Sequence, residues 1–175
     1  MHINRRHLLG AGIVIGGAAL TPHLLFGNVD PDKSITLHVL ETGERETIKF
    51  WSNGNYVSEG LDSINHILRD FKTDFSGAFD INLLNVLHSL VSDTNEPREI
   101  EVVQGFMTET PDDRFVKNSP NYYHSRGQAM DLRVPGVTLE HLAMDIMRWF
   151  DGGIGLYKKK NFVHLDVGAP RRWTG

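Results

Sequence analysis

Gly152-Gly153-Ile154-Gly155-Leu156-Tyr157-Lys158-Lys159-Lys160-Asn161-Phe162-Val163-His164-Leu165-Asp166-Val167 reads as two short strands about a tight turn. The paired glycines break the helical pattern that precedes them. Ile154–Tyr157 and Phe162–Val167 are then β-favouring runs joined by Lys158-Lys159-Lys160-Asn161. In the second run, a period of two puts Phe162, His164 and Asp166 on one face and Val163, Leu165 and Val167 on the other. The second set is core. Lys158–Lys160 reads as a solvated hairpin tip that blunts a sheet edge.

Upstream, Ala129–Val134 is a strand ended by Pro135-Gly136. Thr138 then caps a helix that turns Leu139, Leu142, Ala143, Ile146, Met147 and Phe150 inward. Ile100–Val103 is another strand. Leu61, Ile64, Ile67, Leu68 and Phe71 form a helical stripe within Val57–Phe71, with Ser58 or Glu59 near its start as a cap. Asp80 caps a second helix of closely spaced leucines. Ile35–Leu40 and Arg45–Trp51 flank Gly43 as a hairpin. Gly105–Tyr123 is a long polar connection, a kind of segment that is usually functional in a small domain. The order predicts an α+β domain over residues 35–175, with a small, mostly antiparallel sheet and flanking helices, behind a Pro/Asp linker at residues 28–34.

Residues 1–27 carry an address. Arg5-Arg6 and Leu8-Leu9 precede the uncharged run Gly10–Leu20, which matches a twin-arginine export signal. A periplasmic protein is expected, with membrane contact only through that segment if it stays attached. The 175 residues contain no cysteine, which excludes disulfides, thiolate metal sites and a Cys nucleophile. A formal net charge of −4 gives no electrostatic case for nucleic-acid binding. A monomer is expected.

The nine histidines leave a His/Asp metal site open. His124 and Asp131 would lie about 23 Å apart in a fully extended chain. They can share an ion only if the chain doubles back, and Gly127 is a place where it can turn at low steric cost. His124, Asp131 and His164 offer two imidazoles and a carboxylate. With an open fourth position, that is the pattern of a catalytic zinc, which lowers the pKa of water to about 7. Asp166, two residues beyond His164, reads either as the general base or as the group that orients a ligand imidazole. His164-x-Asp166 with a distal His also mimics the facial triad of an Fe(II) oxygenase, but a jelly roll needs more strands than this reading finds. His38, His66, His88 and His141 read as structural.

His124-Ser125-Arg126-Gly127-Gln128-Ala129-Met130-Asp131 resembles the HxxGxAxD motif of the D-Ala-D-Ala metallopeptidase family. Gly153–Tyr157, Phe162–Gly168 and Arg171-Arg172-Trp173 resemble the C-terminal signature of its murein endopeptidase branch. Thr42-Gly43-Glu44, Leu68-Arg69-Asp70 and Asp80–Leu84 agree with it. The resemblance implies a Hedgehog-type fold, Zn²⁺ held by His124, Asp131 and His164, and hydrolysis of cross-links in peptidoglycan stem peptides. Arg126, Tyr123 and Arg171 are then candidate substrate contacts, since such stems are anionic. One position departs: Met107 stands where the family usually has an arginine that stabilises the developing oxyanion. Arg126, Arg114 and Arg171 are the candidates to replace it. The departure admits a second reading, a catalytically impaired zinc-containing module that binds peptidoglycan.

Overall fold

The computed structural model describes residues 31–92, 98–108 and 120–175. Residues 1–27, read as an export signal, residues 28–30 of the linker, Arg114 and the middle of the long connection lie outside the described residues. In chain order the elements are β1 (Lys33–Val39), β2 (Arg45–Ser52), β3 (Asn55–Tyr56), α1 (Ser58–Ile67), α2 (Ile81–Ser92), β4 (Glu99–Gln104), α3 (Pro120–His124), β5 (Ala129–Arg133), α4 (Leu139–Met147), β6 (Gly153–Tyr157), β7 (Phe162–Asp166) and β8 (Arg171–Thr174).

One eight-stranded sheet runs β3-β2-β1-β4-β5-β7-β6-β8. It is mixed: β1 with β4 and β6 with β8 are parallel, and the other pairs are antiparallel. The α+β class and the mostly antiparallel pairing agree with the sequence reading. The sheet is larger than expected for two reasons. The opening hairpin joins it through the parallel β1–β4 pair, and Arg171–Thr174 adds an edge strand. Lys33 and Ser34, read as linker, already pair with Trp51 and Lys49.

Alternation within the strands separates the two faces. Ile35, Leu37, Ile48, Phe50, Ile100, Val102, Met130, Leu132, Ile154, Val163 and Leu165 are buried in one core with Ile64 of α1, Leu83, Leu84 and Leu87 of α2, and Leu142 and Ile146 of α4. Burying each such side chain contributes roughly 1.5–3 kcal/mol before conformational entropy is charged against it. α1, α2 and α4 therefore cover one face of the sheet. The other face carries the polar residues of each strand.

The starts of α2 and α4 follow capping chemistry, and that of α1 does not. Asp80 accepts from the Asn82 N–H at 2.8 Å, and Thr138 accepts from the His141 N–H at 3.3 Å. At α1 neither Ser58 nor Glu59 caps. The N-cap is Val57, without a side-chain bond, and its N–H donates to the Phe50 carbonyl at 3.0 Å, so the preceding hairpin fixes the helix entry. Met147, expected inward, is 41% exposed, because the stripe that faces the sheet is Leu142, Ala143 and Ile146. The long connection is not structureless at its end, where Pro120–His124 forms α3.

Candidate metal centre

Strand register assembles the site. Asp131 on β5 pairs with His164 on β7, which pairs with Gly155 on β6, which pairs with Trp173 on β8. One row along, Ala129, Asp166, Gly153 and Arg171 follow in the same strand order. These two rows lie on the face away from the helical core. α3 packs against β5 and β7 and brings His124 over the first row.

The doubling back between His124 and Asp131 occurs at Gly127, as the spacing requires. Its φ is +63°, and a Cβ there would stand 2.1 Å from the Ala78 carbonyl oxygen. The Gly127 N–H donates to the His124 carbonyl at 3.1 Å, and the Gly127 carbonyl accepts from the Asp80 N–H at 2.9 Å. The turn is thus bolted to the start of α2.

His124, Asp131 and His164 each present one ligand atom, and these atoms lie within 4.8 Å of one another. Asp131 Oδ1 is 3.3 Å from His124 Nε2 and 2.7 Å from His164 Nδ1. The opposite ring nitrogens are spoken for: His124 Nδ1 donates to the Gly105 carbonyl at 2.6 Å, and His164 Nε2 donates to Asp166 Oδ2 at 3.0 Å. Such outer partners fix the tautomer and aim the free nitrogen at a metal. The donor set fits a zinc-type ion: two imidazoles and a carboxylate converge, each ring locked from behind.

The electrostatics agree. Burial would raise the Asp131 carboxyl, but hydrogen bonds from His124 and His164 outweigh it and hold it below the usual carboxylate range. Burial would lower His164, yet Asp131 and Asp166 on either side of the ring raise it. Nδ1 and Oδ1 stand 2.7 Å apart, and a cation held between them would take the place of the proton that protonated His164 shares with Asp131.

Asp166 is fully buried, and both its oxygens are bonded. Oδ2 accepts from His164, and both oxygens accept from the Arg171 guanidinium, at 3.0 and 2.7 Å. The Gly168 N–H adds a further bond at 2.8 Å. Despite burial, these donors hold the carboxyl below its ordinary value. A carboxylate so enclosed and so fully bonded does not reach a water as a general base. Its bond to His164 Nε2 is the geometry of the other reading the sequence offered, a group that orients a ligand imidazole. Its place behind the ring also removes the facial-triad alternative, in which Asp166 would be a ligand.

Arg171 and Tyr123 are likewise not free contacts for substrate. The Arg171 guanidinium forks onto Asp166 and stacks between Tyr123 and Trp173, 4.6 and 5.0 Å from the ring centroids. Tyr123 is buried beneath it. Arg126 lies over the Tyr122 ring at 3.6 Å and donates to the Tyr122 carbonyl.

A cavity of about 140 Å³ opens over the donors, lined by Met107, His124, Asp131, Tyr157, Lys160, Phe162 and His164. Met107 thus does face the site, so the departure from the family pattern falls at the chemistry. The segment carrying it is anchored: the Phe106 N–H donates to the Leu68 carbonyl at 2.8 Å and the Thr108 N–H to Asp70 Oδ2 at 2.8 Å. Sequence reasoning missed Tyr157 and Lys160. Lys158 behaves as a solvated tip residue and pairs with Glu140, whereas Lys160 borders the cavity. Tyr157 shares the face of Gly153 and Gly155 by its period of two, and that was the available signal.

The family described as peptidoglycan L,D-endopeptidase MepK matches residues 28–173. The chain belongs to this family. Peptidoglycan L,D-endopeptidase MepK of Escherichia coli (strain K12) is 30% identical over 176 residues, covering 97% of each chain. Probable peptidoglycan L,D-endopeptidase MepK of Haemophilus influenzae is 27% identical, covering 98% of this chain and 96% of its own. No solved structure matches the chain. The murein endopeptidase branch indicated by the HxxGxAxD and C-terminal segments is therefore the right one.

Proposed function

We propose that the chain is a zinc-dependent peptidoglycan endopeptidase that hydrolyses a peptide bond in murein cross-links, with the L,D selectivity in its relatives' names. The observation that carries this is the convergence of His124 Nε2, Asp131 Oδ1 and His164 Nδ1 under one cavity, with both imidazoles braced from behind. These three residues would hold the ion, which when bound supplies a Lewis acid for the scissile carbonyl and a lowered pKa for water. The chain's own contribution is orientation. Gly105 and Asp166 keep the two ring protons on the far nitrogens, so neither imidazole serves as a proton shuttle. Met107, Tyr157 and Phe162 give the cavity apolar walls that limit its water.

The reading includes export to the periplasm by the twin-arginine route, a Hedgehog-type fold and a monomeric state. Among the described residues, no helix is long and apolar enough to cross a membrane. Digestion of purified sacculi tests the activity. Release of new stem-peptide termini, abolished by a chelator and restored by Zn²⁺, is expected; sacculi left intact by metal-loaded protein overturn it. Met107 in the cavity wall supports a second reading, a wall-binding module without catalysis, which predicts retention on sacculi and no cleavage.

A further inference from the structure

We propose that Tyr157 donates the oxyanion hydrogen bond that Met107 cannot make. The inference rests on the endopeptidase reading and deepens it. Acyl transfer needs a preorganised donor where negative charge develops on the carbonyl oxygen. Of the residues around the cavity, Met107 offers none, the two imidazoles spend their far protons on Gly105 and Asp166, and Asp131 is an acceptor.

Tyr157 differs. Its oxygen is 2.9 Å from Trp173 Nε1. An indole nitrogen only donates, so the tyrosine oxygen is the acceptor in that bond. Its own O–H proton is left over, and no acceptor among the described residues takes it. The ring is held in place: it stacks on Phe162 at 4.7 Å and 23°, opposite it in the β6–β7 register. Trp173, which fixes the hydroxyl, packs against His164 with centroids 5.4 Å apart. The hydroxyl is therefore tied to the same scaffold as a metal-donor residue, at the end of a ring that lines the cavity. Lys160, the other donor on the wall, is exposed on a flexible stem, 5.8 Å from the Tyr157 ring centroid. A rigid hydroxyl is the better preorganised of the two. In this role the proton stays on Tyr157 and only a hydrogen bond strengthens as charge builds.

Tyr157→Phe keeps the stack and removes the hydroxyl. In metal-loaded protein it is expected to lower kcat on a cross-linked stem peptide by about 10²–10³ with KM nearly unchanged. Metal content should stay at the wild-type value, and the thermal midpoint should fall only by the small amount that one lost hydrogen bond, from the Trp173 indole, costs. Binding of a phosphonate analogue of the peptide, a tetrahedral anion, should weaken by a similar factor while substrate binding does not. Adding Met107→Arg to Tyr157→Phe should recover part of the rate. Wild-type kcat and analogue affinity in Tyr157→Phe would overturn the proposal and leave the endopeptidase reading standing. So would loss of kcat in Lys160→Met but not in Tyr157→Phe. A wild-type protein that binds metal and cuts no stem peptide would overturn both.

Discussion

Two clusters on the polar face of the sheet look alike as compositions and differ as sites. His124, Asp131 and His164 form one. His38, Glu99 and Glu101 form the other, on β1 and β4, and their ligand atoms also lie within 4.8 Å of one another. The first is braced. Each imidazole has its far nitrogen held, and Asp166 behind one of them is itself gripped by Arg171. In the second, the carboxylates face outward to Arg45 and Arg133, and His38 Nδ1 is buried with no partner among the described residues. Two arginines already neutralise that cluster, and nothing fixes the tautomer of its imidazole. Donor count does not separate the two clusters; the ring of partners behind the donors does, and it favours the first as a candidate metal centre.

The comparison breaks most sharply at the ligands. His164→Ala should leave no metal after dialysis and cut hydrolysis by at least about 10³-fold, whereas His38→Ala should change neither. Elemental analysis beside the sacculus assay checks both, and retained metal in His164→Ala would sink the assignment. Next come the two arginines. Arg171→Ala leaves a buried carboxylate without its cation and should cost about 3 kcal/mol or more, with a fall in metal affinity of about 10–100-fold. Arg133→Ala, in the partly exposed pair with Glu101, should cost about 1 kcal/mol or less. Equal denaturant midpoints for the two variants would contradict the contrast.

A smaller effect is expected at Gly153. A Cβ there would stand 2.2 Å from Asp166 Oδ2 and 2.7 Å from the Arg171 guanidinium. Arg171 on β8 reaches Asp166 on β7 only by crossing β6, and the missing side chain is the lane it uses. Gly153→Ala should destabilise by about 1–3 kcal/mol and weaken metal binding, as titration with a competing chelator would show. Wild-type affinity would mean the lane is wider than drawn.

The gentlest test is pH on metal-free protein. His164 is raised above 6.5, so its contribution is complete below that value and is lost as pH climbs through the raised one. Asp131 and Asp166 are depressed below 3.8, so theirs are complete above that value and fade as pH falls through the lower ones. The thermal midpoint of chelated protein should therefore peak in mildly acidic solution and decline on either side. Bound metal should flatten the alkaline limb, because Nδ1 then has no proton to lose. An alkaline limb unchanged by metal would count against Nδ1 as a ligand.

The three donors were legible because two of them lie in a motif closed by a glycine turn and the third follows from strand alternation. The helices and the hairpins were legible from local periodicity. The brace was not. That Arg171 belongs to Asp166 depends on the parallel pairing of β6 with β8, a long-range register that no local spacing encodes. Hence Asp166 was open to reading as a base and Arg171 as a substrate contact. Tyr157 was hidden for a related reason. Its partner Trp173 is on β8 and its stacking partner Phe162 on β7, so its role appears only once three strands are side by side.

The position of β8 in the chain has a consequence for biosynthesis. Translation delivers His124, Asp131 and His164 before it delivers Arg171 and Trp173. A nascent chain stalled after β7 would own every ligand, yet its Asp166 would lack the guanidinium that holds it and Tyr157 the indole that aims it. Metal captured at that stage would meet loose imidazoles. The brace is complete only when β8 is paired with β6, so tight metal retention is expected to depend on that edge pairing.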